Sequence, residues 1–420
     1  MVHFLPEILR VPLVSRAFSL LVVVALVAGC AGRPKGVMVP VAAAPPPAAS
    51  KVGMLVATTR TPSGDPATLF AGERSAMPYF TAIDISIPPE TARQSGTVQW
   101  PKRLPPNPAT DFAVTKVAQI HTPTEGRQWF RQHIAGGHAL VFVHGFNNTY
   151  EDSVFRLAQI VHDSKAEATP ILFTWPSRAE LLAYNYDKES TNYSRTALER
   201  TLRVLGDDPD VKDITILAHS MGTWLTMESL RQMGIREGHV HLKIHNVVLA
   251  SPDIDIDVFA KQYVEMGSPK PKFTIFVSQD DKALAASRLI SGNVLRVGAI
   301  NPATEPYRSQ LEQAGITAID LTQVRTEDSL NHGKFAESPE IVQLIGKRLV
   351  TGQTLTDQDI TLGDGITAVI AGTANGIGTV AAATVSAPVE IISAAGRPKA
   401  KPAEIKDTLF VDPNSEPLTN

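Results

Sequence analysis

Cysteine is almost absent from this chain. One residue, Cys30, stands among 420, which excludes an internal disulfide and leaves no Cys/His set with zinc-ligand spacing. Basic charge is not in excess either: 39 Lys and Arg face 42 Asp and Glu, a formal net charge of −3. No overall field favours nucleic acid, so no nucleic-acid partner is expected, and nothing calls for a metal or cofactor. Near the N-terminus, Ala17 to Ala28 is uncharged but falls short of the ~20 apolar residues of a membrane-spanning helix. No internal repeat is visible. Hydrophobic residues are plentiful at 43%, enough for one large domain with extensions.

The lone cysteine is informative by position. Arg10 and Arg16 precede the short apolar run, which ends in Leu26-Val27-Ala28-Gly29-Cys30. A basic flank, a brief apolar core and a small-residue cleavage site read as a secretory signal over residues 1–29. The segment resembles the lipobox of bacterial lipoproteins, which implies that Cys30 is lipidated and becomes the new N-terminus. The expected partner is then a membrane, at the bacterial cell envelope. Ala31, not aspartate, follows the cysteine and favours the outer membrane.

Residues 30–50 are rich in Pro and Ala and read as an extended tether. Residues 51–125 read as a β-rich extension, with strand candidates at Val52–Thr58, Thr81–Ile87 and Thr97–Trp100. From about 126 to 350, apolar runs alternate with amphipathic helical patterns. Ala139–Val143, Pro170–Trp175, Ile214–Ala218, Asn246–Ala250, Phe273–Val277 and Ile316–Asp320 are the strand candidates. Repeated βα units predict an α/β fold with a mostly parallel sheet and helices on both faces. The elbow helix is expected to end at Gly234. Residues 351–420 form a Gly/Ala-rich tail, expected to be partly disordered. Its uncharged stretch from Gly365 to Val389 suggests small-residue helices on the body or a membrane-surface contact.

The chemistry begins at Ile214-Thr215-Ile216-Leu217-Ala218-His219-Ser220-Met221-Gly222. An apolar strand breaks into a serine and a helix follows at once, the sequence form of a nucleophile elbow. A serine needs a base, and the base needs an orienting acid. After Ser220 the order acid-then-histidine is available. His332 is the only histidine beyond His245, so it is the only candidate base downstream of the acid. Asp281, just past the strand Phe273–Val277, is the first choice of acid, with Asp280 and Asp253 as alternatives. The oxyanion of an acyl-transfer intermediate needs backbone N–H donors. Met221, next to the serine, and Phe146, in Val143-His144-Gly145-Phe146, are the expected donors. His144 itself reads as structural.

These motifs resemble the α/β-hydrolase superfamily, and within it a bacterial branch catalogued as a domain of unknown function. Ala57-Thr58-Thr59-Arg60, Gly72-Glu73-Arg74-Ser75, Phe142 to Asn148, Phe173-Thr174-Trp175-Pro176-Ser177, Leu217 to Gly222, Leu249 to Asp255 and Val277 to Asp281 carry the resemblance, over roughly 52–350. It implies an α/β-hydrolase fold that includes the β-rich extension, and a serine hydrolase without a defined substrate. The leading expectation is an envelope-anchored esterase with an ester or lipid-like small-molecule substrate. The alternatives are an inactive interaction or scaffold lipoprotein on the same fold, and an acyltransferase.

Overall fold

A computed structural model describes residues 35–346 and 367–369. The expected signal segment, Cys30 and most of the tail lie outside the described residues.

Three strands come first: β1 (Ser50–Pro62), β2 (Phe70–Ile87) and β3 (Ala113–Ile120). Then follow α1 (Pro123–His133), β4 (His138–Val143), α2 (Tyr150–Ser164), β5 (Thr169–Thr174), α3 (Tyr184–Asp207), β6 (Asp213–His219) and α4 (Met221–Glu237). The chain continues through β7 (Ile244–Ala250), α5 (Ile256–Glu265), β8 (Lys272–Val277), α6 (Lys282–Ile290), α7 (Tyr307–Ala314) and β9 (Thr317–Asp320). It closes with the short α8 (Lys334–Glu337), α9 (Pro339–Leu344) and β10 (Thr367–Val369).

The ten strands among the described residues form one sheet in the order β10-β9-β8-β7-β6-β4-β5-β1-β2-β3. From β9 to β1 every pairing is parallel, whereas β2, β3 and β10 join antiparallel at the two edges. The extension therefore continues the main sheet edge to edge. Strand β4 shows why the central runs lack alternation. Ala139, Val141 and Val143 enter the core that holds Leu198 and Leu202 of α3 and Leu225 and Leu230 of α4. Leu140 and Phe142 enter the opposite core, with Val154 and Leu157 of α2. Both faces are covered, so both sets of side chains are apolar. Local signals set the helix ends. Thr149 accepts the Asp152 N–H at 3.1 Å while Asp152 accepts the Thr149 N–H at 2.8 Å, a reciprocal cap on α2.

Several expectations need correction. Thr97–Trp100 is a turn and coil, not a strand. Within the expected tether, Val37 and Met38 are fully buried, and the Val41 N–H bonds the Val114 carbonyl. That part of the segment packs on the body because its apolar side chains find a place beside β2 and β3. The elbow helix runs past Gly234 to a left-handed cap at Gly238. Gly234 stays helical, and a Cβ there would meet the Met266 carbonyl oxygen at 2.3 Å. In the tail, Thr367–Val369 is an edge strand on β9, not a helix. Among the described residues no helix is long and apolar enough to cross a membrane.

Candidate active site

Strand β4 lies between β5 and β6, so the chain reverses its direction across the sheet there, and the crevice opens at the carboxyl ends of the strands. Register aligns those ends: Val143 faces Ala218, His219 faces Ala250, and Val277 faces Asp320. The loops bearing Phe146, Ser220, Asp253, Asp281 and His332 therefore share one edge.

Ser220 has φ +51° and ψ −124°, a conformation an L-residue holds only at a cost of about 1–3 kcal/mol. Its N–H bonds the Ala250 carbonyl at 2.9 Å, and Thr223 returns its own N–H to the Ser220 carbonyl at 3.0 Å. Gly222 is required by close approach: a Cβ there would sit 2.2 Å from the His144 oxygen and 2.7 Å from the Val143 oxygen. Helix α4 is thereby pressed against the loop after β4, with Met221 at its first turn.

The loop His144–Thr149 is fixed from two sides. Burial drives the His144 pKa down to about 3, so its ring is neutral. Its Nδ1–H donates to the Gly145 carbonyl at 2.8 Å, while its Nε2 accepts the Trp175 N–H at 3.1 Å. The Asn148 side-chain amide also donates to the Gly145 and Phe146 carbonyls, at 3.2 and 2.8 Å. In a trans peptide the N–H points opposite to the C=O, so these contacts orient the Phe146 N–H away from His144 and Asn148. Behind the loop lies Arg60, a fully buried guanidinium. It donates to the Asn148 carbonyl at 2.8 Å, the Ser177 carbonyl at 2.9 Å and the Thr174 hydroxyl at 2.9 Å. Thr174 lies 3.0 Å from His144 Nε2, so Arg60 supports the loop by two routes.

His332 and Asp281 meet: Nδ1 lies 2.7 Å from Oδ2, and the Asp281 side chain is wholly buried. The second Asp281 oxygen caps α6 through the Leu284 N–H at 2.9 Å. Burial opposes charge on His332, but the charge and hydrogen bond of Asp281, with Asp253 and Asp328 beyond, outweigh it and raise the pKa above 6.5. Asp328 accepts the N–H groups of His332 and Gly333 at 2.6 and 2.8 Å, and His219 Nε2 contacts the His332 carbonyl at 3.2 Å.

The two alternative acids are engaged by other partners. Asp280 is held by Lys334 Nζ at 2.8 and 3.0 Å. Asp253 accepts the Tyr184 and Ser287 hydroxyls at 3.0 and 2.5 Å and lies 3.3 Å from Arg296, a buried ion pair. A cavity of about 180 Å³ is lined by Ser220, His332 and Phe146 and walled by Leu181, Leu284 and Ile290. Asp253 also borders it. Sequence reading missed Arg60 as a support, as well as Asn148, His219, Asp328 and Lys334. Arg60, Asn148 and His219 fall within the motifs read above, whereas Asp328 and Lys334 fall in none, and Arg60, His219 and Lys334 meet partners far along the chain. Among the described residues no group of three or more His, Cys, Asp or Glu side chains could hold a metal ion.

A family model described as an alpha/beta hydrolase of unknown function (DUF900) matches residues 122–348, a span that holds every residue lining this cavity. No curated protein matches the chain.

Proposed function

The chain belongs to the DUF900 family of alpha/beta hydrolases, and we propose that this member is a serine hydrolase of carboxylic esters, working through Ser220, His332 and Asp281. The observation that carries the reading is that His332, held by the buried Asp281 carboxylate at 2.7 Å, lines the same cavity as a serine of positive φ.

Ser220 Oγ attacks the ester carbonyl carbon and its proton passes to His332 Nε2, the nitrogen not engaged by Asp281. The Asp281 carboxylate holds the ring in that tautomer and stabilises the imidazolium. The carbonyl oxygen gains negative charge, and the N–H groups of Phe146 and Met221 donate hydrogen bonds to it, an effect worth about 3–4 kcal/mol per donor in acyl-transfer enzymes. As the intermediate collapses, the C–O bond breaks and Nε2 returns the proton to the leaving alcohol. Water, deprotonated by His332, then attacks the acyl-serine carbonyl; the bond to Ser220 Oγ breaks, Nε2 returns the proton to Oγ, and the carboxylic acid leaves. The mainly apolar walls of the cavity favour an uncharged acyl group. Lipid anchoring through Cys30 at the cell envelope belongs to the same proposal and rests on the residues preceding that cysteine.

A fluorophosphonate probe tests the reading, together with p-nitrophenyl esters of rising chain length. The wild type is expected to be labelled and to hydrolyse the shorter esters, and Ser220→Ala to do neither. An unlabelled wild type, or equal labelling of Ser220→Ala, refutes it.

A further inference from the structure

A second recess lies at the opposite end of α3, under the β-rich extension. It has a volume of about 250 Å³, larger than the cavity at Ser220, and shares no lining residue with it. Tyr184, at the start of α3, borders the Ser220 cavity, and Val204, near its end, borders the recess. At 1.5 Å per residue the two are about 30 Å apart along the helix.

Three features give the recess a chemistry. Its walls are apolar, built from Leu55, Phe80, Ile120, Phe130, Ile171 and Val204. At its border α1 carries Gly126, although glycine is a poor helix former. Close packing does not explain that glycine, since an added Cβ would meet only the Ile120 Cγ2, at 3.7 Å. A larger side chain there would instead occupy the recess. Beside it, exposed Arg127 has no ion-pair partner among the described residues, whereas Arg131, one turn on, pairs with Asp210 at 2.9 Å. The other charge at the recess, Asp208, accepts the Asp210 N–H at 2.9 Å within its own loop.

We propose that this recess is a binding site for a straight-chain aliphatic carboxylate, its chain among the apolar walls and its head group at Arg127. At 250 Å³ it lies below the range of about 300–1,000 Å³ for sites of drug-sized ligands, which suits a single unbranched chain. The proposal does not depend on hydrolysis at Ser220.

Isothermal titration of the full-length protein with sodium decanoate below its micellar concentration tests it. The wild type is expected to bind at one site, with affinity rising about fourfold per added methylene across shorter acids until the recess is full. Gly126→Leu fills the recess while improving helix propensity, so it should abolish binding with no loss of thermal stability. Arg127→Gln should weaken decanoate about threefold and leave decanol unaffected. Equal decanoate affinity in the wild type and Gly126→Leu overturns the site, and decanol binding as sensitive to Arg127→Gln as decanoate overturns the assigned head group. Binding lost in Leu284→Trp, which fills the Ser220 cavity, but kept in Gly126→Leu moves the ligand to that cavity and also overturns the proposal.

Discussion

Replacing Arg60 by methionine removes a charge that touches no cavity residue directly yet underlies the loop beside Ser220. The guanidinium is 1% exposed and makes three bonds of 2.8–2.9 Å to Asn148, Ser177 and Thr174, with a longer one to Ala71 at 3.3 Å. Burial lowers its pKa to about 10, so it stays charged at neutral pH, at a cost of roughly 3 kcal/mol for the ionised form. Methionine relieves that cost but takes the guanidinium donors from the Asn148 and Ser177 carbonyls, each worth about 1–3 kcal/mol when unpaired, while Thr174 keeps its contact with His144. It also takes a positive charge away from buried Glu151 and Asp187. Removing one member of a buried charged network costs about 3–5 kcal/mol net, and Arg60→Met belongs at the lower end of that range. At ~2–4 °C per kcal/mol, the melting temperature should fall by about 6–12 °C. Arg60→Lys keeps the charge without the planar fork and should lose about half as much. As a positioning residue for the Phe146 N–H, Arg60 acts on the transition state, so kcat toward a p-nitrophenyl ester should fall about ten- to a hundredfold with KM little changed. Calorimetry and steady-state kinetics below the mutant's melting temperature measure the two effects separately. A lowered melting temperature with unchanged kcat would refute the positioning role, and no change in either would refute the network as a source of stability.

The remaining predictions concern the serine and its base. His332 must be neutral to accept a proton, and its pKa is raised, so kcat/KM should fall with decreasing pH through a midpoint above 6.5. Asp281→Asn removes the charge and bond that raise it, so the midpoint should move to lower pH while kcat drops about 10³–10⁴-fold; a pH profile unchanged in position would show that Asp281 does not set it. Gly222→Ala places a Cβ against two backbone oxygens that cannot yield, so α4 must shift from the β4 loop, at a cost of about 1–3 kcal/mol or more. Fluorophosphonate labelling should fall with the melting temperature, and a fully labelled, equally stable Gly222→Ala protein would contradict that account.

Much of the fold is legible in the sequence. Apolar runs such as Ala139–Val143, alternating with amphipathic helices, determined the α/β class and the parallel sheet, because side-chain periodicity follows directly from backbone geometry. The break after Ala218 and the glycine at 222 identified the elbow, since a sharp strand-to-helix turn tolerates few residues there. The order of Ser220, the candidate acids and His332 could be read along the chain. Which carboxylate meets the imidazole could not. Asp253, Asp280 and Asp281 all follow strands that end at the same edge, and only the partners brought by Arg296, Lys334 and His332 tell them apart. Tertiary structure alone also decided that Arg60 reaches Asn148, that Val37 and Met38 are buried, and that residues 367–369 extend the sheet. Local conformation depends on near neighbours and is written in the sequence. A buried charge or an edge strand depends on partners tens or hundreds of residues away, which only the folded chain brings together.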